Sequence, residues 1–230
     1  MASMTLSAGK RDRPRRKSLE LHRESPSPPV KSLKIKRALD VVLASFALIM
    51  LLPLFCLLAI LVRRDGGPVI FRQSRVGKDG VEFMFYKFRS MMIGADINRP
   101  SLENLNQHGE AGVTFKIKDD PRITKLGRIL RKTSLDELPQ FWNVLIGDMS
   151  LVGPRPALPS EVARYTREQR QRLLAKPGLT CFWQIGGRSE ISFEQQVGLD
   201  LKYIHEQSLR LDLWLLFKTV PALISGSGAY

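Results

Sequence analysis

Two adjacent carboxylates lie in a segment that could do chemistry on an anionic ligand, Ser134-Leu135-Asp136-Glu137-Leu138-Pro139-Gln140. Ser134, followed three residues later by Glu137, fits a capping box, which predicts that a helix begins here with Asp136 in its first turn. An ionised Asp beside cations is a candidate oxygen nucleophile, and a carboxylate can also bind Mg²⁺. From spacing alone the plainer interpretation is favoured: Glu137 caps the helix and Asp136 complements its dipole.

Cations stand on both sides of this carboxylate pair. The segment from Ile123 has helical spacing, and one of its faces carries Lys125, Arg128, Arg131 and Lys132. Downstream, Pro154 and Pro156 stiffen the backbone around Arg155, which would hold its guanidinium in a fixed place. Such a group suits a phosphate or a uracil ring. The alternatives are a solvated helix face and a rigid turn that exposes an arginine.

A long apolar segment precedes these residues and would attach them to a membrane or to a protein core. Residues 41–62 contain no charged side chain, and a helix of this length, about 33 Å, covers a hydrocarbon core. Pro53 bends the run, and basic residues flank both of its ends. Because positive charge marks the cytoplasmic side, we expect residues 38–64 to form a re-entrant helix kinked at Pro53. A crossing helix and a buried core helix are the alternatives.

The charge of the chain points to an anionic partner. Lys and Arg outnumber Asp and Glu by 36 to 22, a net charge of +14, which suits nucleic acid, a phospholipid surface or a phosphorylated substrate. Residues 1–37 are basic and rich in Pro and Ser, so we predict a disordered cytoplasmic tail that either is attracted to anionic lipid or is simply solvated. Two cysteines and three dispersed histidines argue against a disulfide framework and a zinc cluster.

The remaining residues, 65–230, predict a cytoplasmic α+β domain that is mostly helical. Residues 69–86 have the aromatic and β-branched pattern of a short β-hairpin around a Gly/Asp turn. Gly77-Lys78 does not complete a phosphate loop, since Arg72 stands at the earlier glycine position and Asp79 at the Ser/Thr position. The apolar segment 209–224 is either an interfacial amphipathic helix or a core helix.

In this order, the motifs resemble those of the small monotopic bacterial phosphoglycosyl transferases, the bacterial sugar transferases that begin glycan assembly. The resemblance runs from Lys36 to Tyr230 and is most like the exopolysaccharide members. The pieces that carry it are Lys36–Asp40, Lys87–Met91, Asp120–Thr124, Arg131–Gln140 and Gly147–Pro156. Many members place Ser before the membrane proline, whereas this chain has Leu52, whose side chain cannot satisfy a carbonyl freed by the kink.

The resemblance implies transfer of a sugar 1-phosphate, galactose or glucose, from a UDP-sugar to undecaprenyl phosphate, with release of UMP. It places the nucleophile at Asp136, with a covalent phosphosugar intermediate, and makes Glu137 its partner in catalysis and Mg²⁺ binding. The substrate-binding residues it implies are Arg131, Pro154, Arg155, Pro156, Arg188 and Asp200.

The resemblance also implies a place in the cell and a set of partners. The catalytic domain is expected at the cytoplasmic face of a bacterial inner membrane, bound to anionic lipid. No nucleic-acid partner is expected, since no recognised binding module is present, and homo-oligomerisation is left open. A non-catalytic membrane-tethered scaffold, whose basic tail recruits partners, is the alternative function.

Overall fold

The computed structural model describes residues 30–95, 106–107, 112–115, 117, 119–187 and 191–225. These residues are mostly helical, with a short antiparallel hairpin, which confirms the α+β prediction. The helices are α1 Val30–Met50, α2 Leu52–Arg63, α3 Lys125–Lys132, α4 Gln140–Ile146, α5 Pro159–Ala163, α6 Phe182–Gly186, α7 Phe193–Glu206 and α8 Leu209–Ser225. The strands are β1 Ile70–Val76, β2 Glu82–Phe88, β3 Ser150–Val152 and β4 Gly178–Thr180. Helix α1 begins at Val30, inside the predicted tail, and residues 1–29 lie outside the described residues.

The apolar run forms two helices with a sharp bend between them. The axes of α1 and α2 differ by 62°. The break falls at Leu51, and Pro53 lies in the first turn of α2, where its missing N–H costs no helical hydrogen bond. Within the described residues, no single helix is long and apolar enough to cross a membrane, whereas the bent pair passes that test by length and composition.

The first turns of α1 are bound to α4, β3 and α8. Lys36 Nζ lies 2.7 Å from Asp212 Oδ2 in α8 and donates to the carbonyl of Val152 at 3.0 Å. Arg37 donates to the last carbonyls of α4, and Asp40 accepts from the amide of Leu151. Burial of Lys36 and Asp40 makes these bonds structural, so neither side chain is a free, lipid-facing flank.

The far end of α2 is bound to the same body. The guanidinium of Arg89, which follows β2, forms an ion pair with Asp65 and donates to the carbonyls of Val62 and Pro68. The carbonyl of Val62 belongs to the last turn of α2, so this buried arginine caps the helix end. Both ends of the bent pair are therefore attached to one folded unit.

The hairpin forms one wall of that unit. Strands β1 and β2 pair antiparallel from Ile70 with Phe88 to Val76 with Glu82, as the sequence predicts. Asp79 turns the chain with φ of 57°, in the left-handed region that Asp tolerates better than most residues. The short strands β3 and β4 pair in parallel and lie in the main apolar core.

Helix α8 has two different faces. Leu215 is fully buried in the main core, and Asp212 is buried beside Lys36. The opposite face exposes Trp214, Phe217 and Val220 to solvent. One face of α8 therefore belongs to the core, as the core-helix prediction has it. The other face is apolar and exposed, as an interfacial helix requires.

Candidate active site

A tight turn presents the carboxylate pair. Helix α3 ends at Lys132, and Ser134 then takes a left-handed conformation with φ of 56° before one turn of 3₁₀ helix, Leu135–Glu137. The predicted capping box at Ser134 is wrong. An N-cap side chain needs an extended backbone to reach the following amides, whereas left-handed Ser134 makes no such bond and Glu137 bonds to other partners.

Glu137 and Asp136 share a cation from the hairpin. Lys87 Nζ lies 3.4 Å from Glu137 Oε1 and 3.7 Å from Asp136 Oδ2. Arg155 Nη1 lies 3.3 Å from the same Glu137 oxygen. Asp136 is buried, and among the described residues Lys87 is its only ion-pair partner, at the longer of these distances. Glu137 is thus held by two cations, and Asp136 is held more loosely.

The two carboxyl groups differ in basicity. Burial raises the pKa of Asp136; Lys87 opposes that shift, and the charge of Glu137 adds to it. Burial also acts to raise the pKa of Glu137, but Lys87 and Arg155 outweigh it and lower that pKa to about 2. Glu137 therefore stays ionised and paired, while Asp136 carries the more basic and less encumbered oxygens, which suits a nucleophile.

The pair opens onto a cavity of about 830 Å³ whose polar wall is cationic. Arg131 donates from Nε to Ser90 Oγ at 2.9 Å. Arg75 donates to the carbonyl of Pro156 at 3.1 Å and to Gln73 Oε1 at 2.9 Å. Within the part of the chain that the structure describes, neither guanidinium has a carboxylate at ion-pair distance.

The positive charges of Arg131 and Arg75 in the cavity wall favour the binding of an anion. Burial, followed by the neighbouring charge of Arg155, lowers the pKa of Arg75 to about 10. Burial likewise lowers the pKa of Arg131, with Asp136 opposing the shift. Because desolvated cations without a carboxylate at ion-pair distance are costly, these two arginines are suited to phosphate groups, which guanidinium binds in bidentate fashion.

The predicted site residues fall into three groups. Those that line the cavity are Asp136, Glu137, Arg131, Arg155 and Pro156. Pro154 lies behind the wall, where its carbonyl accepts from Gly178 N at 2.9 Å. Asp200 does not line the cavity either, and Arg188 lies outside the described residues.

Asp200 acts on the cavity through another residue. It is buried and accepts from Arg172 Nε at 2.8 Å. Arg172 lines the cavity, and its guanidinium carbon lies 5.7 Å from the ring centre of Tyr165 and 5.5 Å from that of Phe193. Burial raises the pKa of Asp200 to about 6, although Arg172 opposes that shift. Asp200 is therefore a positioning residue that orients a guanidinium.

Lys87, Arg75 and Arg172 are cavity residues that sequence reasoning missed. For the first two a signal was present. In the hairpin register Phe71 faces Lys87 and Arg75 faces Phe83, so period-two alternation puts Arg75 and Lys87 on one face of the sheet. For Arg172 the sequence holds no comparable signal, because it lies in an irregular 3₁₀ segment, Gln169–Leu174.

The adjacent carboxylates Asp136 and Glu137, with arginines and a lysine around them, form a site suited to phosphorylated ligands. Comparison with known proteins agrees. The family model described as bacterial sugar transferase matches residues 31–226, and the chain belongs to that family.

Individual relatives are similar over most of this chain. The galactosyl transferase CpsE of Streptococcus agalactiae serotype III is 47% identical over 195 residues, covering 84% of this chain and 43% of CpsE. The UDP-glucose:undecaprenyl-phosphate glucose-1-phosphate transferase of Escherichia coli K12 is 43% identical over 205 residues, covering 85% and 41% of the two chains. The exopolysaccharide production protein ExoY of Rhizobium meliloti is 42% identical over 198 residues, covering 85% and 88%. The chain thus spans less than half the length of the first two relatives and most of the third.

Proposed function

We propose that this protein transfers a sugar 1-phosphate, galactose or glucose, from a UDP-sugar to undecaprenyl phosphate and releases UMP. This would be the first membrane step of exopolysaccharide synthesis. The observation that carries the proposal is the asymmetry of the carboxylate pair: Glu137 is fixed by Lys87 and Arg155, and Asp136 faces the cavity with the more basic oxygens. The names of CpsE and of the E. coli relative support the choice of sugars.

The proposed chemistry has two displacement steps. An oxygen of Asp136 attacks the phosphorus next to the sugar, the bond to the bridging oxygen breaks, and UMP leaves with that oxygen. An oxygen of undecaprenyl phosphate then attacks the same phosphorus, and the bond to Asp136 breaks, which regenerates the carboxylate. A covalent step lets one site use a soluble donor and a membrane acceptor in turn.

The cationic wall would neutralise charge during both steps. Phosphoryl transfer depends on positioning and electrostatic stabilisation more than on proton transfer. Arg131 and Arg75 are the described cavity cations without a carboxylate at ion-pair distance, so they are available to the donor's diphosphate.

The donor set fits Mg²⁺. This ion is held by one or two carboxylates together with substrate phosphates, and Asp136 and Glu137 are adjacent carboxylates on the cavity wall. A cluster of three or more potential ligands is not found among the described residues, so the substrate would complete the coordination. When bound, Mg²⁺ would neutralise phosphate charge, while Lys87 and Arg155 keep Glu137 in place.

The helix pair would place this site at the inner face of the bacterial membrane. Lys36 binds one end of the pair to the catalytic body, and Arg89 binds the other end to the same body. A helix pair with both ends on one domain would dip into a bilayer and return, and the bend of 62° is compatible with that path. The exposed apolar face of α8 would lie in the interface.

Purified protein given UDP-galactose or UDP-glucose with undecaprenyl phosphate should release UMP in the presence of Mg²⁺. Chelation should abolish the release, and added Mg²⁺ should restore it. A screen of other UDP-sugars provides the specificity control. A scaffold that merely binds partners would give no UMP with any donor, and that result would reject the proposed function.

Replacing Lys87 by Met should shift the acidic limb of the pH profile of kcat/KM to higher pH. Asp136 must be ionised to attack, and Lys87 acts to lower its pKa. Without Lys87 the pKa of Asp136 rises further, so activity is already lost at a pH where the wild type still works. Lys125→Met, an exposed lysine of α3, is the control. An unshifted limb in Lys87→Met would show that Lys87 does not govern Asp136.

A further inference from the structure

The mouth of the catalytic cavity has an apolar rim. Met92 and Ile93, which follow β2, and Val220 and Leu223, in the last turns of α8, all line the cavity and are exposed. Single exposed apolar side chains are ordinary, but several around one opening favour an apolar ligand. The rim therefore has a chemistry different from that of the cationic wall inside.

The rim adjoins the place where α2 joins the catalytic body. The side chain of Ile93 lies against Gly67, so closely that a Cβ atom on Gly67 would come within 2.9 Å of Ile93 Cγ1. Pro68, the next residue, lines the same cavity. Arg89 fixes this junction by binding Asp65 and the last turn of α2. One side of the cavity thus lies next to the segment that follows α2.

The cavity as a whole complements an amphiphile. Its interior offers Lys87, Arg131 and Arg155 to a phosphate beside Asp136, and its mouth offers apolar side chains. A UDP-sugar is polar along its length, so it accounts for the interior and leaves the rim unexplained. A phosphate attached to a long hydrocarbon chain accounts for both.

We propose that Met92, Ile93, Val220 and Leu223 bind the first isoprene units of the polyprenyl phosphate acceptor, so that the lipid enters from the bilayer between the end of α2 and the end of α8. The inference rests on the proposed function and names the acceptor subsite within it. The hydrocarbon chain of the acceptor leads out along the rim, and the phosphate of the acceptor reaches the cations around Asp136.

Ile93→Asn tests the subsite in detergent, where insertion into a bilayer does not limit the rate. The KM for undecaprenyl phosphate should rise about tenfold, the loss expected when one apolar contact of this size is removed. The KM for the UDP-sugar should stay unchanged. The KM for geranyl phosphate, which consists of two isoprene units and a phosphate, should rise by a similar factor, because the contact lies on the first units of the chain.

Ile129→Asn is the matched control. Ile129 is 59% exposed and Ile93 is 64% exposed, but Ile129 lies on α3 and does not line the cavity. Equal effects of the two substitutions, or an unchanged KM for the acceptor in Ile93→Asn, would overturn the subsite. If Ile93→Asn does not fold, Val220→Asn on α8 tests the same rim from the other segment.

Failure of the subsite and failure of the proposed function give different results. If the wild type is active and Ile93→Asn has an unchanged KM for the acceptor, the subsite is rejected and the proposed function stands. A wild type without turnover rejects the proposed function. The subsite is then judged by retention of radiolabelled undecaprenyl phosphate on the purified protein, which Ile93→Asn should weaken about tenfold and Ile129→Asn should not. Equal retention by all three proteins would overturn it.

Discussion

Asp136→Asn should reduce UMP release by about 10³-fold or more, since loss of a nucleophile removes the covalent route altogether. The amide is isosteric with the carboxyl group and the site is formed by backbone turns, so the fold should be retained. Circular dichroism and sedimentation with membranes should match the wild type. The measurement is UMP formed from UDP-sugar and undecaprenyl phosphate under saturating conditions.

The same experiment separates the two carboxylates. With a radiolabelled sugar and no acceptor, the wild type should carry one sugar phosphate per chain, and Asp136→Asn should carry none. Glu137→Gln should slow turnover yet still accumulate label, because Glu137 is paired with Lys87 and Arg155 and is not expected to attack. Radiolabel on the Asp136→Asn variant would show that another residue is the nucleophile.

Asp79→Asn is the matched control for Asp136→Asn. Asp79 lies at the tip of the hairpin turn in a left-handed conformation, which Asn adopts as readily as Asp. Asp79 is exposed and does not line the cavity, so the same chemical change there should leave UMP release unaltered. Loss of activity in this variant would point to a general effect of charge and weaken the assignment of Asp136.

Sequence patterns correctly predicted the helices and strands whose conformation depends mainly on residues close by in the sequence. Helix α3 follows from the spacing of its apolar residues, and its N-cap Thr124 accepts from the amide of Gly127 at 2.9 Å. The hairpin follows from alternation and turn chemistry. The site motif was equally visible, because Arg131, Asp136 and Glu137 are close in sequence and share one turn region.

Partners distant in sequence explain what the patterns missed. Glu137 looked like a cap for Ser134, yet it binds Lys87, 50 residues earlier, and Arg155, 18 residues later. Charged partners form stronger hydrogen bonds than a backbone amide does, so they draw the carboxylate away. Similarly, Lys36 resembled a flank of a membrane helix, but its ammonium binds Asp212, 176 residues further along.

Single cysteines placed at Lys34 and at Arg64 should be accessible from the same side of the membrane. Both residues are exposed and stand at opposite ends of the bent pair. An impermeant maleimide should label neither in intact spheroplasts and both after the membrane is opened. A helix that crosses the bilayer would give opposite results at the two positions, and that outcome would remove the re-entrant arrangement.

The native cysteines set the background for this experiment. Cys56 is exposed on α2 and is replaced by Ala, while Cys181 is buried, so the parent without an added cysteine reports its residual labelling. Met50→Cys, next to the break at Leu51, is the depth control and should resist labelling in both preparations.

The physical reason for expecting one side lies in the two attachments. Separating Lys36 from Asp212 would leave a buried carboxylate without its cation, and separating Arg89 from Asp65 would also uncap α2. Breaking these pairs is costly, because Asp212 in the first pair and Arg89 in the second are buried and would stay desolvated without their partners. A crossing pair would have to break one of these attachments. A re-entrant pair keeps both and would hold Asp136 near the lipid phosphate, which is proposed to attack the phosphosugar on this residue.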